Sequence, residues 1–555
     1  MHQILRTCLL LFTTLAMQGV WAAEIQHDAE HYILLAQNGQ KWAEDDKSVD
    51  ARLAEIRKAN GGKRPNIVYI LLDDIGYGEI GTPDLTPSRG YSTPNIDALS
   101  REGLTFYRMY TEPSCTPTRV AMMTGRYPSR TGTSEAKATI AGDGLSAREV
   151  TIAEILQDAG YYTSHVGKWH MGDVEEAYAN NQGFMHAEFP IHQQGQLAIM
   201  SPEAAQADVI RGSDPNAQLQ TYTMDHTFVT NPSHMVTGVE VRDGKLYEVD
   251  LEAGETWTQA HYREMNERYQ RNVLDQLRKL AKQDKPFFLN YWPLFPLNFV
   301  PSDIKETHTL NGGVVAETIV EVDQWVGEIV DEIDRLGIAE NTIVIVMGDN
   351  GPFMQYASIG GVSDRVYRGG KADTTEGGVR VNAYMRWPAA IEAGVTAGDI
   401  IHVSDLFTTF ARIAGATDEI PTDRIIDGVD QTSMMLLGDT HGRRDYVHIY
   451  DGPSLKAVVK NKYKMHMPPP GTNPIAAELY DLTRDPREER PFDSIKYGPW
   501  AGGQFANMVK RHMAMKMQFP DSKGAMGMPY GGIENLRPET QELLRIFALS
   551  MPKKK

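Results

Sequence analysis

Cysteine is almost absent from this chain, with two in 555 residues, Cys8 and Cys115. Cys8 falls inside an N-terminal stretch with the marks of a targeting segment: Arg6 supplies a positive start and Leu9 to Leu15 a short apolar run. Small residues at Val20-Trp21-Ala22 or Trp21-Ala22-Ala23 offer a cut site. Most of that apolar run follows Cys8, which argues against a lipid anchor there. With residues 1–22 removed as a signal peptide, a single thiol remains, and a disulfide framework is excluded. Long apolar runs are missing too. No later stretch reaches the roughly 18 residues needed to cross a bilayer, so the expectation is an exported protein, periplasmic or secreted, with no membrane span. Basic charge is in deficit: 55 Lys and Arg face 73 Asp and Glu, a formal net charge of -18. Nucleic acids and anionic membranes, which bind basic surfaces, are therefore poor partners. A local basic pocket for one small anion is still possible, while a polysulfated polymer fits less well. No internal repeat or low-complexity tract is present.

What the chain does have is alternation. Pro65 to Leu72 is a continuous apolar run suited to a strand buried on both faces, and it ends in Asp73-Asp74. Thr93-Pro94 opens a helix that Gly103 closes, and Leu104 to Tyr107 reads as the next strand. Thr151 to Ala159 is helical and Tyr161 to Val166 extended. An amphipathic helix from about Ala316 to Leu336 leads into a buried strand at Thr342 to Met347. This pattern predicts an α/β fold with a large, mostly parallel mixed sheet flanked by helices, whose ligands sit at the carboxyl ends of the strands. Residues 186–260 break it, being polar and Gln-rich, and read as a solvated loop or an insertion forming a pocket wall. After about 440 come short strands, Tyr446 to Tyr450 and Leu455 to Lys460, and a turn-like Leu479-Tyr480-Asp481-Leu482-Thr483-Arg484-Asp485-Pro486. The expected organisation is a catalytic domain over 60–440 with the insertion near 186–260, and a smaller C-terminal α+β subdomain over 441–555.

The chemistry concentrates at a few points. Pro117 suits the first turn of a helix, so Cys115 lies at or just before a helix N-terminus, where unpaired N–H groups favour an anion. Arg119 follows one turn later on the same face. Two strand ends finish in hard oxygen donors, Asp73-Asp74 and Asp349-Asn350. Adjacent carboxylates repel and desolvate poorly, so they call for a cation, and oxygen ligands select Ca²⁺ or Mg²⁺ over zinc. Lys168 and His170 project from another strand end in Gly160-Tyr161-Tyr162-Thr163-Ser164-His165-Val166-Gly167-Lys168-Trp169-His170-Met171-Gly172, with His165 read as structural. Lys371 sits in a glycine-rich loop, Arg368-Gly369-Gly370-Lys371-Ala372-Asp373-Thr374-Thr375-Glu376-Gly377-Gly378-Val379-Arg380.

The run Cys115-Thr116-Pro117-Thr118-Arg119, followed by apolar residues and Thr124-Gly125, resembles the signature of the type I sulfatases, of the alkaline-phosphatase-like fold. Gly167-Lys168-Trp169-His170 resembles the same family's second signature, and the Lys371 loop a third motif in which Thr375 stands where the family usually has Trp. The resemblance implies that Cys115 is oxidised by a formylglycine-generating or sulfatase-maturating enzyme to formylglycine, whose hydrate supplies the nucleophile. It implies Asp73, Asp74, Asp349 and Asn350 as ligands of Ca²⁺ or Mg²⁺ together with the residue at 115, Lys168 on sulfate or formylglycine oxygens, Lys371 on sulfate, and His170 as the base that handles the formylglycine hydroxyl and expels sulfate. A fourth segment, Phe287 to Asn298, departs from the family. Where a Pro-His pair is usual this chain has Leu297-Asn298, and asparagine can bind sulfate but cannot serve as a general acid. Either Lys371 carries that role alone, or a histidine such as His192 or His308 does, or the leaving group needs little help. The activity implied is hydrolysis of a sulfate monoester of a phenol or other small organic alcohol. Two alternatives stay open: a phosphonate or phosphate ester hydrolase on the same scaffold, and an inactive sulfate-binding relative.

Overall fold

The protein is described here from a computed structural model covering residues 24–137, 140–191, 236, 238–249, 251–255, 259–294, 313–352, 366–468, 471, 477–492 and 502–550. Residues 1–22, where a signal peptide is expected, lie outside these residues. The apolar run after Pro65 forms β1 (Asn66–Leu72), buried along its whole length. It joins β2 (Leu104–Tyr110), β3 (Tyr162–Gly167), β4 (His186–Phe189), β5 (Gly238–Arg242), β6 (Lys245–Val249), β7 (Phe287–Trp292), β8 (Thr342–Gly348), β9 (Arg380–Arg386), β10 (Val395–His402) and the short Ile533–Glu534 in an 11-stranded sheet. The spatial order is β10-β2-β9-β8-β1-β7-β3-β4-β5-β6, with Ile533–Glu534 at the far edge. From β8 to β4 the neighbours are parallel, whereas β9 runs against both β8 and β2, and β5 against both β4 and β6.

Strand periodicity sorts the core into two layers. Ile67, Tyr69 and Leu71 of β1 pack on one face with α3 (Cys115–Thr124), α4 (Ile152–Asp158) and α7 (Asp405–Ala414). Val68, Ile70 and Leu72 pack on the other with α2 (Pro94–Glu102), α5 (Gln259–Leu280) and α6 (Gly313–Arg335). The start of α4 carries a complete capping box, in which Thr151 accepts from the Glu154 amide and the Glu154 carboxylate accepts from the Thr151 amide.

Three features depart from the sequence reading. The insertion is not only loop: β4, β5 and β6 extend the main sheet, while 192–235 lie outside the described residues. The stretch beginning at Leu479 is half strand, since β14 (Glu478–Asp481) completes a small antiparallel sheet with β11 (Tyr446–Asp451), β12 (Ser454–Lys460) and β13 (Tyr463–His466), and the turn starts only at Leu482. A 31-residue helix, α1 (Ala29–Ala59), precedes the first strand. Its sequence is mostly charged and polar, and it earns its place through a few apolar contacts. Leu34 and Trp42 share a core with β11 to β14 and with Phe505 and Met508 of α8 (Gly503–Gln518).

Candidate active site

β1 and β8 lie side by side in parallel, with Leu72 opposite Gly348, so Asp73-Asp74 and Asp349-Asn350 leave the sheet at the same end. The two pairs interlock: the Asp74 amide donates to Asp349 Oδ1 at 3.0 Å, and Asn350 Nδ2 donates to Asp74 Oδ1 at 2.9 Å. Cys115 is the first residue of α3, after Ser114 in extended conformation, so its side chain sits at the positive end of the helix. It is fully buried. One ligand atom each from Asp73, Cys115 and Asp349 lie within 4.8 Å of one another.

Three cations surround this acidic centre. Arg119 Nη2 donates to Asp73 Oδ1 at 3.2 Å and to Asp349 Oδ2 at 2.9 Å, and Nη1 donates to the Lys168 carbonyl at 3.1 Å. Its guanidinium rests over Trp292, 4.9 Å from the ring centroid. Lys168 Nζ contacts Asp73 Oδ1, and Lys371 Nζ donates to both oxygens of Asp74 at 2.8 Å. Burial works against the charge on Lys371, but Asp74, then Cys115, Asp73 and Asp349, outweigh it and hold the ammonium well above its ordinary pKa. The carboxylates are pushed apart. Burial opposes ionisation of Asp73, yet Lys168, Lys371 and Arg119 bring it below the usual range. Asp349 is raised to about 7, by burial first and then by Asp73.

That imbalance tests the site for a metal. Three cations already match Asp73, Asp74 and Asp349, but Asp349 still resists ionisation and Asn350 Oδ1 is buried without a hydrogen-bond partner. A hard divalent cation at the sheet end satisfies both, so Asp73, Asp74, Asp349 and Asn350 fit a Ca²⁺ or Mg²⁺ ligand set.

His170 is buried next to the cations. Burial, then Lys168 and Arg119, keeps its pKa well below the ordinary value, so it is neutral. Its Nε2 lies 3.1 Å from the Lys137 carbonyl, which can only accept. The proton is therefore on Nε2, and Nδ1 is the basic nitrogen. The Thr116 hydroxyl, beside Cys115, donates to the His170 carbonyl at 2.7 Å. Nothing in the sequence pointed to Lys137, because a carbonyl role leaves no side-chain signature.

Backbone strain gathers at the same place. Asp74, His170 and Ala372 have φ of 56°, 59° and 70°, left-handed values that side chains other than glycine's rarely adopt. Gly351 is required: a Cβ there meets the Gly377 carbonyl at 1.9 Å, so Asn350 approaches the Lys371 loop only because its neighbour has no side chain. His165 is structural as expected, buried against Trp169, Phe184 and Trp292. Asn298, His192 and His308 lie outside the described residues. A cavity of about 300 Å³ touches Ser114, Pro117 and Ala372, neighbours of Cys115 and Lys371, and is also lined by Glu135, Tyr450 and Asp451.

Residues 65–416 match the family model described as Sulfatase. This chain belongs to the sulfatase family. Arylsulfatase A of Homo sapiens is 32% identical to it over 76% of this chain and 82% of that protein. N-acetylgalactosamine-6-sulfatase of Rattus norvegicus is 32% identical over 74% and 72%, and steryl-sulfatase of the same species 28% identical over 83% and 91%. Among solved structures, the PsFucS1 sulfatase from Pseudoalteromonas sp. superposes with a TM-score of 0.69 at 25% identity, covering 87% of this chain and 96% of that one. The present sulfatase is thus a hydrolase of sulfuric esters on the alkaline-phosphatase-like fold, with the mostly parallel mixed sheet and small antiparallel C-terminal sheet expected of it.

Proposed function

We propose that Cys115, converted to formylglycine by a maturating enzyme, is the nucleophilic position and that the substrate is the sulfate monoester of a small organic alcohol. The observation that carries this reading is the convergence of Cys115, at a helix N-terminus, with acidic ligands, the buried cations Arg119 and Lys168, and the half-buried Lys371. A hydrated aldehyde at position 115 would offer one hydroxyl for attack on sulfur and a second for release of sulfate, and a cation held by Asp73, Asp74, Asp349 and Asn350 would supply Lewis-acid polarisation of oxygen.

The chain's own residues do the rest. Lys168 and Lys371 bind the equatorial sulfate oxygens as charge builds there, and Arg119 holds Asp73 and Asp349 in position from below. His170, its proton fixed on Nε2 by Lys137, receives a proton at Nδ1 in the release step. Lys371, partly open to solvent, protonates the departing alcohol, and Asn298 binds sulfate. The cavity beside Ser114 and Ala372 receives the alcohol. Its acidic members Glu135 and Asp451 disfavour a moiety carrying further sulfates. Residues 1–22 serve export to the periplasm or exterior, and 441–555 act as a subdomain that completes the cavity wall. Mass spectrometry of the Cys115 peptide, combined with rates on matched nitrophenyl sulfate and phosphonate esters, tests the reading. Sulfur loss at 115 and preference for the sulfate ester are expected; active protein with an intact thiol overturns the nucleophile.

A further inference from the structure

Lys371 stands on a loop, so the backbone that carries it has to be held from outside. Main-chain bonds join that loop to the site: the Lys371 amide donates to the Pro352 carbonyl at 2.8 Å, and the Ala372 amide to the Pro113 carbonyl at 2.7 Å. The loop ends in a single helical turn, Glu376–Val379. There the Gly377 amide donates back to the Arg368 carbonyl at 2.9 Å, and a Cβ on Gly378 would meet the Asp373 carbonyl at 2.0 Å. With the turn pressed this closely on the loop, a shift of Glu376 moves the backbone on both sides of Lys371.

Glu376 is itself fixed from the small C-terminal sheet. Glu376, Lys464 of β13 and Glu488, which follows β14, are all fully buried. The Glu376 amide, one of the orphan donors at the start of the turn, donates to Glu488 Oε1 at 2.6 Å. Lys464 Nζ donates to Glu376 Oε1 and to Glu488 Oε1, each at 3.2 Å. Glu376 Oε2 accepts from the Tyr110 hydroxyl at 2.9 Å and from Arg380 Nη1 at 3.2 Å, and Glu488 Oε2 meets His466 Nε2. Two carboxylates thus face Lys464, Arg380 and His466. Burial opposes ionisation of Glu488, but Lys464, then His466 and the Glu376 amide, hold it below the usual carboxylate range. Glu488 also has a φ of 54°, a left-handed value that persists only where the surroundings over-determine a residue. Its surroundings include the turn that ends the Lys371 loop.

A buried ion pair is a weak device for stability, because desolvation offsets most of its attraction. Its effect is geometric. We infer that Lys464 and Glu488 are positioning residues for the reaction: acting through Glu376, they set Lys371 against Asp74 and so couple the C-terminal sheet to proton delivery to the departing alcohol. This inference rests on the role proposed above for Lys371, whose ammonium donates to both oxygens of Asp74. Glu376 and Glu488 stand 112 positions apart in sequence, so only the fold brings them together.

The test uses the full mature protein and the double variant Lys464→Met/Glu488→Gln, which removes one cation with one carboxylate and leaves Glu376 paired with Arg380. Lys464→Met alone is the harsher comparison, and the double variant decides if it does not fold. Hydrogen exchange reads the clamp itself: amides of 368–379 should exchange faster, while those of β1 and β8 stay as in the wild type. Kinetics read its use. Turnover should fall by up to about 10²-fold, the effect of misplacing a group by an ångström, with the same dependence on the leaving alcohol as Lys371→Ala. On a Lys371→Ala background the same changes should add no further loss, because the group they position is gone. Unchanged exchange over 368–379 in the folded double variant, a different dependence on the leaving alcohol, or a full further loss on the Lys371→Ala background overturns the inference. If Lys371→Ala alone leaves every ester's turnover unchanged, the proposed role of Lys371 fails, and exchange still decides the clamp.

Discussion

Two buried charge clusters of this sulfatase use the same residue types to opposite ends. At the start of α7, Asp405 receives the Arg444 guanidinium at 2.6 and 2.8 Å together with the amides of His402 and Val429, and Arg444 also donates to the Asp427 carbonyl. Both Asp405 oxygens are saturated, and burial of Arg444 is outweighed by Asp405, which raises its pKa. At the sheet end, Asp73 takes Arg119 and Lys168 on a single oxygen, Asp349 is driven toward its protonated form, and Asn350 keeps an unused acceptor. A closed cluster holds the fold, whereas an open one holds ligands. Substitutions should therefore separate stability from turnover.

The largest effect is expected at Cys115. Cys115→Ala should abolish sulfate ester hydrolysis while leaving thermal unfolding nearly unchanged, measured by nitrophenyl sulfate turnover and calorimetry. His170→Ala should come next. Loss of a positioned base typically costs about 10²–10⁴-fold. If it acts in release, a burst of alcohol should precede a slow phase with sulfate retained on the protein, and equal slowing of both phases removes His170 from that role. Lys371→Ala should cost about 10²–10³-fold, by analogy with removing one donor to a developing oxyanion. The loss should grow as the leaving alcohol becomes more basic; a uniform loss across esters would restrict Lys371 to sulfate binding.

In the closed cluster the pattern inverts. Asp405→Ala leaves Arg444 buried and unpaired, so stability should fall by about 3–5 kcal/mol with kcat little changed in the folded fraction, read by denaturant unfolding and single-ester kinetics. The smallest effect concerns pH. Asp349, raised from 3.8 to about 7, binds its proton more tightly folded than unfolded. Chelator-treated protein should therefore lose stability as pH rises from about 4 to 7, and Asp349→Asn or added Ca²⁺ should flatten that slope. A flat profile in chelated wild type would show that Asp349 is not destabilised by the open site.

The central strands were legible because burial on both faces leaves a continuous apolar run, as in Asn66–Leu72 and Thr342–Gly348, and helix caps mark their own ends, as at Thr151. α1 was not, since its few apolar residues find partners only in tertiary contacts: Leu34 and Trp42 with β11 to β14 and α8, and Val49, Leu53 and Ile56 in the main core, all far away in sequence. β4 to β6 were hidden for a related reason: short edge strands in polar sequence become strands by pairing with a sheet already formed.

By itself the sequence determined the family and the central strands, and it singled out Asp73, Asp74, Cys115, Arg119, Lys168, His170, Asp349, Asn350 and Lys371 as candidates, because motif residues and hydrophobic periodicity are local properties. Tertiary structure alone decided how their charges share partners: Arg119 bridging Asp73 and Asp349, the Lys137 carbonyl setting the His170 proton, and the left-handed backbone at Asp74 and His170. It alone gathered Glu376, Lys464 and Glu488 into one cluster. Electrostatic energies depend on distance and burial in space, and neither can be read from separation along the chain.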